Sequence, residues 1–145
     1  YGPKLSARSF ATARMMETWA HGQDIYQCLG ERRPASDRIK NIAHLGASTF
    51  GWTFINRNLP VPEPAPYIEL QAPSGNKWIW NDPPSEQNYL RGSAEEFCLV
   101  VTQRRNVADT WLKYAGSAAT WLPIAQCYAG PPEDAPAPGV LAVRY

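Results

Sequence analysis

The stretch YIELQAPSGNKWIW, residues 67–80, decides the fold class. In its first half, polar Glu69 and Gln71 alternate with apolar neighbours, as in a strand with two different faces. PSGN is typical of a turn, and KWIW follows as a partner strand. The stretch is therefore predicted to form a hairpin of strands 67–72 and 77–80.

Upstream of this hairpin the apolar residues follow helical spacing. Two long helices are predicted there, at residues 6–29 and 36–57. LPVPEPAP then forms a proline-rich linker whose residues are held extended. The linker divides the chain into a helical segment, residues 1–59, and an α+β subdomain, residues 60–145.

Downstream of the hairpin, Ser93 and Glu96 form the S-x-x-E pattern of a capping box. They predict a helix over residues 93–104, followed by a strand at 110–114. YLRG, just before the capping box, is a candidate for a further short strand.

The last predicted helix covers residues 117–128, with Ser117 as its cap. Pro123 is expected to kink it, because proline removes a helix hydrogen bond. The tail GPPEDAPAPG is expected to be either disordered or wrapped on the surface. The sheet and the helices together predict an α+β fold.

Composition narrows the class of protein. The 145 residues are 44% apolar and 19% charged, with a net charge of +1. This balance suits one globular domain or two small subdomains, and it gives no basis for binding nucleic acid or a membrane. Cys28, Cys98 and Cys127 lack CxxC spacing, and we expect them to be reduced and buried in a cytoplasmic protein.

The segment METWAHGQD contains the candidate metal ligands Glu17 and His21. Residues four apart on a helix share a face, so both side chains can reach one ion. Catalytic zinc usually takes three protein ligands, and His44 on the second helix is the only other histidine. Spacing alone is weak evidence for a metal and favours a hydrogen-bonded or solvated pair.

Residues 6–30, SARSFATARMMETWAHGQDIYQCLG, resemble the last bundle helix of the mycothiol-dependent maleylpyruvate isomerase family, a branch of the DinB-like four-helix proteins. That helix carries Glu-x-x-x-His followed by Gly and Asp, as Glu17, His21, Gly22 and Asp24 do. YIELQAPSGNKWIW, LRGSAEEFCLVVTQRR and WLKYAG are similar to the family's sterol-carrier-like C-terminal domain. The likeness is strongest to an actinobacterial, uncharacterised subgroup described as metal-binding.

The resemblance implies a divalent metal, with zinc expected, on Glu17, His21 and a histidine of an earlier bundle helix. The chain opens on YGPKLSARSF without methionine, and it matches only the second half of such a protein. The third ligand is therefore expected outside it. Mycothiol is the implied cofactor, adding to an activated double bond of a small-molecule substrate and leaving again to isomerise it.

Arg105 takes the place of the family's arginine, which implies that it clamps a substrate carboxylate. Arg104 departs from the family's Gly-Arg pair, and a surface charge at a helix end is the alternative for Arg105. Asp24 is either an acceptor for the imidazole of His21 or solvated.

Two other functions remain open. The chain could be a non-catalytic module with an aromatic pocket for an apolar small molecule, or an interaction domain whose first helix pairs with a second copy or a partner chain. Because the other bundle helices are absent, we expect the first helix to be unpaired. Four apolar side chains should then be exposed, or covered by a second copy of the chain or a domain swap: Met15, Met16, Trp19 and Tyr26.

Overall fold

The computed structural model describes residues 7–140 and has the predicted α+β fold. The helices are α1 (Ala7–Leu29), α2 (Lys40–Ser48), α3 (Phe50–Asn56), α4 (Ala94–Val101) and α5 (Ser117–Trp121). The strands are β1 (Tyr67–Gln71), β2 (Lys77–Trp80), β3 (Tyr89–Ser93) and β4 (Lys113–Ala115). Short 3-10 turns occupy Asp37–Ile39, Val107–Asp109 and Leu122–Ile124.

The four strands form one mixed sheet in the order β2-β1-β3-β4. The β1–β2 hairpin is confirmed, with Ile68 opposite Trp80. YLRG becomes β3, which runs parallel to β1 and antiparallel to β4. The strand predicted at 110–114 begins only at Lys113, because the 3-10 turn before it uses Thr110, whose hydroxyl donates to Val107 O.

The predicted second helix is not continuous. A 3-10 turn precedes α2, and Thr49 separates α2 from α3 with φ −98° and ψ 14°. The Thr49 hydroxyl donates to the carbonyls of Leu45 and Gly46 at 2.9 and 3.1 Å. Threonine side chains that bond back to the preceding turn bend a helix, which explains the break.

Half of the predicted capping box is present at α4. Ser93 Oγ accepts from the backbone N–H of Glu96 at 3.3 Å. The Glu96 carboxylate does not return to Ser93 but accepts from Trp111 N at 3.2 Å. Burial raises the pKa of Glu96, against the opposing effect of this hydrogen bond.

The helix α4 ends at Val101, three residues before the predicted end. Gln103 has φ +58°, and its N–H donates to Val100 O at 3.0 Å. Arg104 N donates to Leu99 O at 2.8 Å, which completes a Schellman motif. The side chain of this left-handed residue is also fixed, since Gln103 Nε2 donates to Ala125 O at 3.2 Å.

The last helix is also shorter than predicted. Gly116, with φ +69°, is the residue before α5, and Ser117 bonds Asn88 Oδ1 instead of capping the helix. The α-helix stops at Trp121, because Pro123 lacks the N–H that would continue it. One 3-10 turn follows, and the chain is extended from Ala125.

The core is continuous across the proline linker. The helix α4 is buried except at its first turn, and it packs against α2 and the sheet. Phe50, Phe97 and Trp121 meet edge to face, with ring centroids 5.2–5.8 Å apart. Such aromatic pairs add to the stabilisation from burial itself.

The prediction of an unpaired first helix is wrong. The inner face of α1 packs against α2, so that Met16 is only 2% exposed and Met15, Trp19 and Tyr26 are partly buried. The loop that connects α1 to α2 also covers α1, which sequence reasoning overlooked. The Arg33 guanidinium lies over the rings of Trp19 and Tyr26, at 5.1 and 5.7 Å from their centroids.

The outward face of α1 remains exposed. It carries Phe10, Ile25 and Leu29, which are 58%, 62% and 65% exposed. Cys28 is also exposed, which corrects the expectation that all three cysteines are buried. All three thiols are free. Burial raises the pKa of Cys127 to about 12 and that of Cys98 well above its usual value.

The tail lies along the surface as far as Val140. Gln103 Nε2 donates to Glu133 O at 2.7 Å, and Asn106 Nδ2 donates to Pro136 O at 3.0 Å. Of the two expectations for this tail, disordered or wrapped on the surface, the structure has the second over the described residues. Within residues 7–140, none of the helices combines the length and the hydrophobicity needed to cross a membrane.

We predict that Gly46→Ala destabilises the fold by about 1–3 kcal/mol, the usual cost of overpacking. A Cβ at Gly46 would lie 2.9 Å from atoms of both Phe97 and Val101. The measurement is the free energy of unfolding in urea.

Gly51→Ala is the matched control for this substitution. A Cβ at Gly51 would have its nearest neighbour, Val61 Cγ1, at 4.0 Å. Alanine favours a helix by about 0.5–1 kcal/mol over glycine, so this variant should be unchanged or more stable. Equal losses in both variants would contradict the close α2–α4 contact.

Candidate functional site

Glu17 and His21 lie on the exposed side of α1, at the rim of an open cavity. Their spacing of one helical turn puts both on the same face. The cavity has a volume of about 250 Å³ and lies between α1 and the chain after α4 and α5. Besides these two residues it is lined by Met16, Ala20, Arg104, Tyr128, Ala129 and Glu133.

An ion pair joins α1 to the chain that follows α4. Arg104 Nε and Nη2 donate to the two carboxylate oxygens of Asp24 at 3.0 and 3.1 Å. Arg104 Nη1 donates to Thr102 O at 2.8 Å. The Schellman motif directs this arginine towards α1, and the two-pronged geometry fixes the Asp24 carboxylate.

The same carboxylate faces the imidazole of His21. Asp24 Oδ2 lies 3.9 Å from His21 Nδ1, which is beyond the distance of a direct hydrogen bond. A carboxylate that accepts from one ring nitrogen of a histidine orients the ring and leaves the other nitrogen for a metal, so Asp24 would have to move closer to take that role. A series of contacts therefore runs from Arg104 through Asp24 to His21 and links one subdomain to the other.

Polar groups also line the opposite wall. The Tyr128 hydroxyl hydrogen-bonds to Gln103 Oε1 and to Glu133 Oε2, the latter at 2.9 Å. Burial, followed by the hydrogen bond to Glu133, raises the pKa of Tyr128 strongly. Tyr128 therefore stays protonated and acts as a hydrogen-bond donor.

Glu17 and His21 fit two positions of a metal site, and the chemistry of their donor atoms suits zinc. In the part of the chain that the structure describes, no group of three or more His, Cys, Asp or Glu side chains could hold an ion. His44 is not near the pair. It lies on α2, where its Nδ1 accepts from Trp80 Nε1 at 3.0 Å.

Arg105 is not among the residues that line the cavity. It is 8% exposed, and its Nε has no hydrogen-bond partner among the described residues. Arg104 lies at the cavity instead, and sequence reasoning did not select it. The missing signal was the helix end at Val101, since the Schellman turn decides which of two adjacent arginines faces α1.

Curated relatives are found in two strains of Mycobacterium tuberculosis, CDC 1551 and H37Rv, and both are described as uncharacterized proteins. Each is 48% identical over 133 residues, which cover 91% of this chain and 51% of the relative. The chain thus spans about half the length of the curated relatives it matches. No family model and no solved structure matches it.

We predict a coupling free energy of about 0.5–1 kcal/mol between Arg104 and Asp24, at the upper end for a partly exposed ion pair. The double-mutant cycle uses Arg104→Met and Asp24→Asn, with the free energy of unfolding as the readout. Arg104→Lys should lose most of the coupling, because lysine cannot engage both carboxylate oxygens. Additive losses in the cycle would argue against the pair.

Proposed function

We propose that this chain is the C-terminal portion of a metal-dependent, thiol-cofactor-dependent isomerase or transferase of small molecules. One observation carries the proposal: Glu17 and His21 share the rim of a cavity, and Asp24 faces Nδ1 of the histidine. Metal-binding histidines commonly donate their other ring N–H to a carboxylate, and Asp24 would take that role after closing from 3.9 Å. The resemblance to the maleylpyruvate isomerase family supports the same proposal.

In the proposed site, Glu17 and His21 would hold the ion through a carboxylate oxygen and Nε2. A divalent ion, with zinc expected, supplies a Lewis acid and favours the deprotonated form of a thiol such as mycothiol. The third ligand would come from outside the described residues. About half of each curated relative is not matched by this chain, and the third ligand would come from such a further segment.

Arg104 would act as a positioning residue. Its guanidinium is committed to Asp24 and to Thr102 O, so it orients the carboxylate that faces His21. The hydroxyl oxygen of Tyr128 would accept a hydrogen bond from a substrate in the cavity, because its one O–H is already donated to Gln103 or Glu133. The substrate clamp that the resemblance implies for Arg105 requires that its buried guanidinium reach the cavity by rearrangement.

An interaction domain is the second candidate function. The outward face of α1 exposes Phe10, Ile25 and Leu29, and the last two lie one helical turn apart, so that they form a small apolar surface for contact. The occupant would be a second copy or a partner chain. A cytoplasmic location belongs to the proposal as well, and the three free thiols are in keeping with it.

The test of the metal site is zinc analysis of the full-length protein. We expect about one zinc ion per molecule. His21→Ala should lose at least nine-tenths of this zinc, because each protein ligand contributes strongly to the affinity for the metal. His44→Ala is the matched control, since that histidine is exposed on α2 and away from the cavity.

Equal zinc in His21→Ala and the unchanged protein would contradict the metal site. In that case the interaction-domain function remains, and a helix-face variant, Ile25→Glu, would test it by size-exclusion chromatography with light scattering.

A further inference from the structure

The wall of the cavity opposite α1, residues 128–133, is built around two buried glutamines. Gln126 Nε2 donates to Pro131 O at 3.2 Å, and its Oε1 accepts from Glu133 N at 2.9 Å. Gln103 Nε2 donates to Glu133 O at 2.7 Å. The N–H and the carbonyl of Glu133 are therefore both held, which keeps this exposed residue at the cavity.

The orientation of the Gln103 amide follows from its contacts. Carbonyl oxygens can only accept, so the amide nitrogen must face Ala125 O and Glu133 O. Gln103 Oε1 then faces the Tyr128 hydroxyl and accepts its hydrogen. Turning the amide round would lose the two hydrogen bonds of its nitrogen.

One hydrogen is thus left to serve two contacts of Tyr128. The hydroxyl oxygen lies 2.9 Å from Glu133 Oε2, and an ionised carboxylate brings no hydrogen of its own. While the O–H is donated to Gln103, two acceptor oxygens face each other without a donor between them. A donor group of a ligand would satisfy both oxygens at once.

The charges that line the cavity favour a positively charged donor. They are the carboxylates of Glu17 and Glu133 and the guanidinium of Arg104. Asp24 already pairs with that guanidinium through both of its carboxylate oxygens, so Arg104 is neutralised by a residue outside the lining. The two carboxylates are left to attract a cation.

The rest of the lining is apolar. Met16, Ala20 and Ala129 contribute to it, and the volume of about 250 Å³ suits only a small molecule. A ligand that fits both parts of the cavity has a short alkyl group and a protonated amino group. An ammonium has three N–H donors, enough for Glu133, the Tyr128 oxygen and one further acceptor.

We propose that this cavity binds small primary amines, with the ammonium group between the Glu133 carboxylate and the hydroxyl oxygen of Tyr128. The substrate of the proposed metal-dependent enzyme then carries an amino group, an assignment of substrate class that rests on the proposed function. Glu133 is the residue that selects the amine against neutral and anionic molecules of the same shape.

The experiment measures the binding of butylammonium to the full-length protein near neutral pH. It follows the methyl NMR signal of Ala129, assigned through Ala129→Ser, because this residue lines the cavity. We expect a saturable shift. Butan-1-ol and butyrate have the same alkyl chain without the positive charge, and each should bind at least about fivefold more weakly.

A variant and its control assign the charge. Glu133→Gln should raise the dissociation constant about three- to fivefold, the upper range for a partly exposed ion pair. Asp134→Asn is the matched control, because it removes the same charge from the next residue. The Asp134 carboxylate lies 3.3 Å from Arg57 Nη1 and is not part of the cavity lining, so this variant should bind as tightly as the unchanged protein.

Zinc analysis of the same samples separates this test from that of the metal site. Glu133→Gln should keep its zinc, whereas His21→Ala should lose the zinc and still bind butylammonium. Binding of butylammonium by protein that contains no zinc would count against the metal site alone and would support the amine site.

The proposal fails if butylammonium gives no saturable shift of Ala129, or if butan-1-ol or butyrate binds as tightly. An equal loss of affinity in Glu133→Gln and Asp134→Asn would also overturn it. So would an unchanged affinity in Glu133→Gln with loss of binding in His21→Ala, because the amine would then be a ligand of the metal.

Discussion

The close approach of α2 to α4 at Gly46 is the contact on which the rest of the structure depends. The helix α4 lies at the centre of the core, between the sheet and α2. At Gly46 there is no room for even a methyl group beside Phe97 and Val101. Because α2 also carries α1 on another side, this contact sets the distance between α1 and the C-terminal end of α4.

That distance is what allows the candidate site to form. The left-handed Gln103 turns the chain after α4, and Arg104 then reaches Asp24 on α1. Asp24 in turn faces His21. The ion pair of Arg104 and Asp24 links residues 80 positions apart in sequence. It therefore joins the two subdomains that the proline linker was expected to separate.

Local signals predicted much of the fold. The hairpin at 67–80 followed from alternation and a turn, and the start of α4 followed from Ser93. The placement of β3 between β1 and β4 depends on its parallel pairing with β1. Parallel strands are joined by long connections, so a short stretch of sequence does not show which strands pair. The helix break at Thr49 could not be predicted, because it depends on the hydrogen bond of the Thr49 hydroxyl to the preceding turn.

The candidate site was predicted only in its local part. Glu17 and His21 share a face because helix geometry requires it. The partners from elsewhere in the chain, Arg104 and Tyr128, depend on a helix end and on a segment after α5. The packing of α1 was not predicted for a similar reason. Arg33, which lies over the Trp19 ring of this helix, comes from a connecting loop.

The central claim is that α1 is docked in this chain, with the Asp24 carboxylate fixed by Arg104. Amide hydrogen exchange of the 145-residue chain tests it most directly. An undocked helix opens readily in water, whereas packed helices are protected. We predict strong protection for residues 16–24, reduced around Asp24 in Arg104→Met while α4 stays protected. Exchange of α1 at the rate of an unfolded peptide would contradict it.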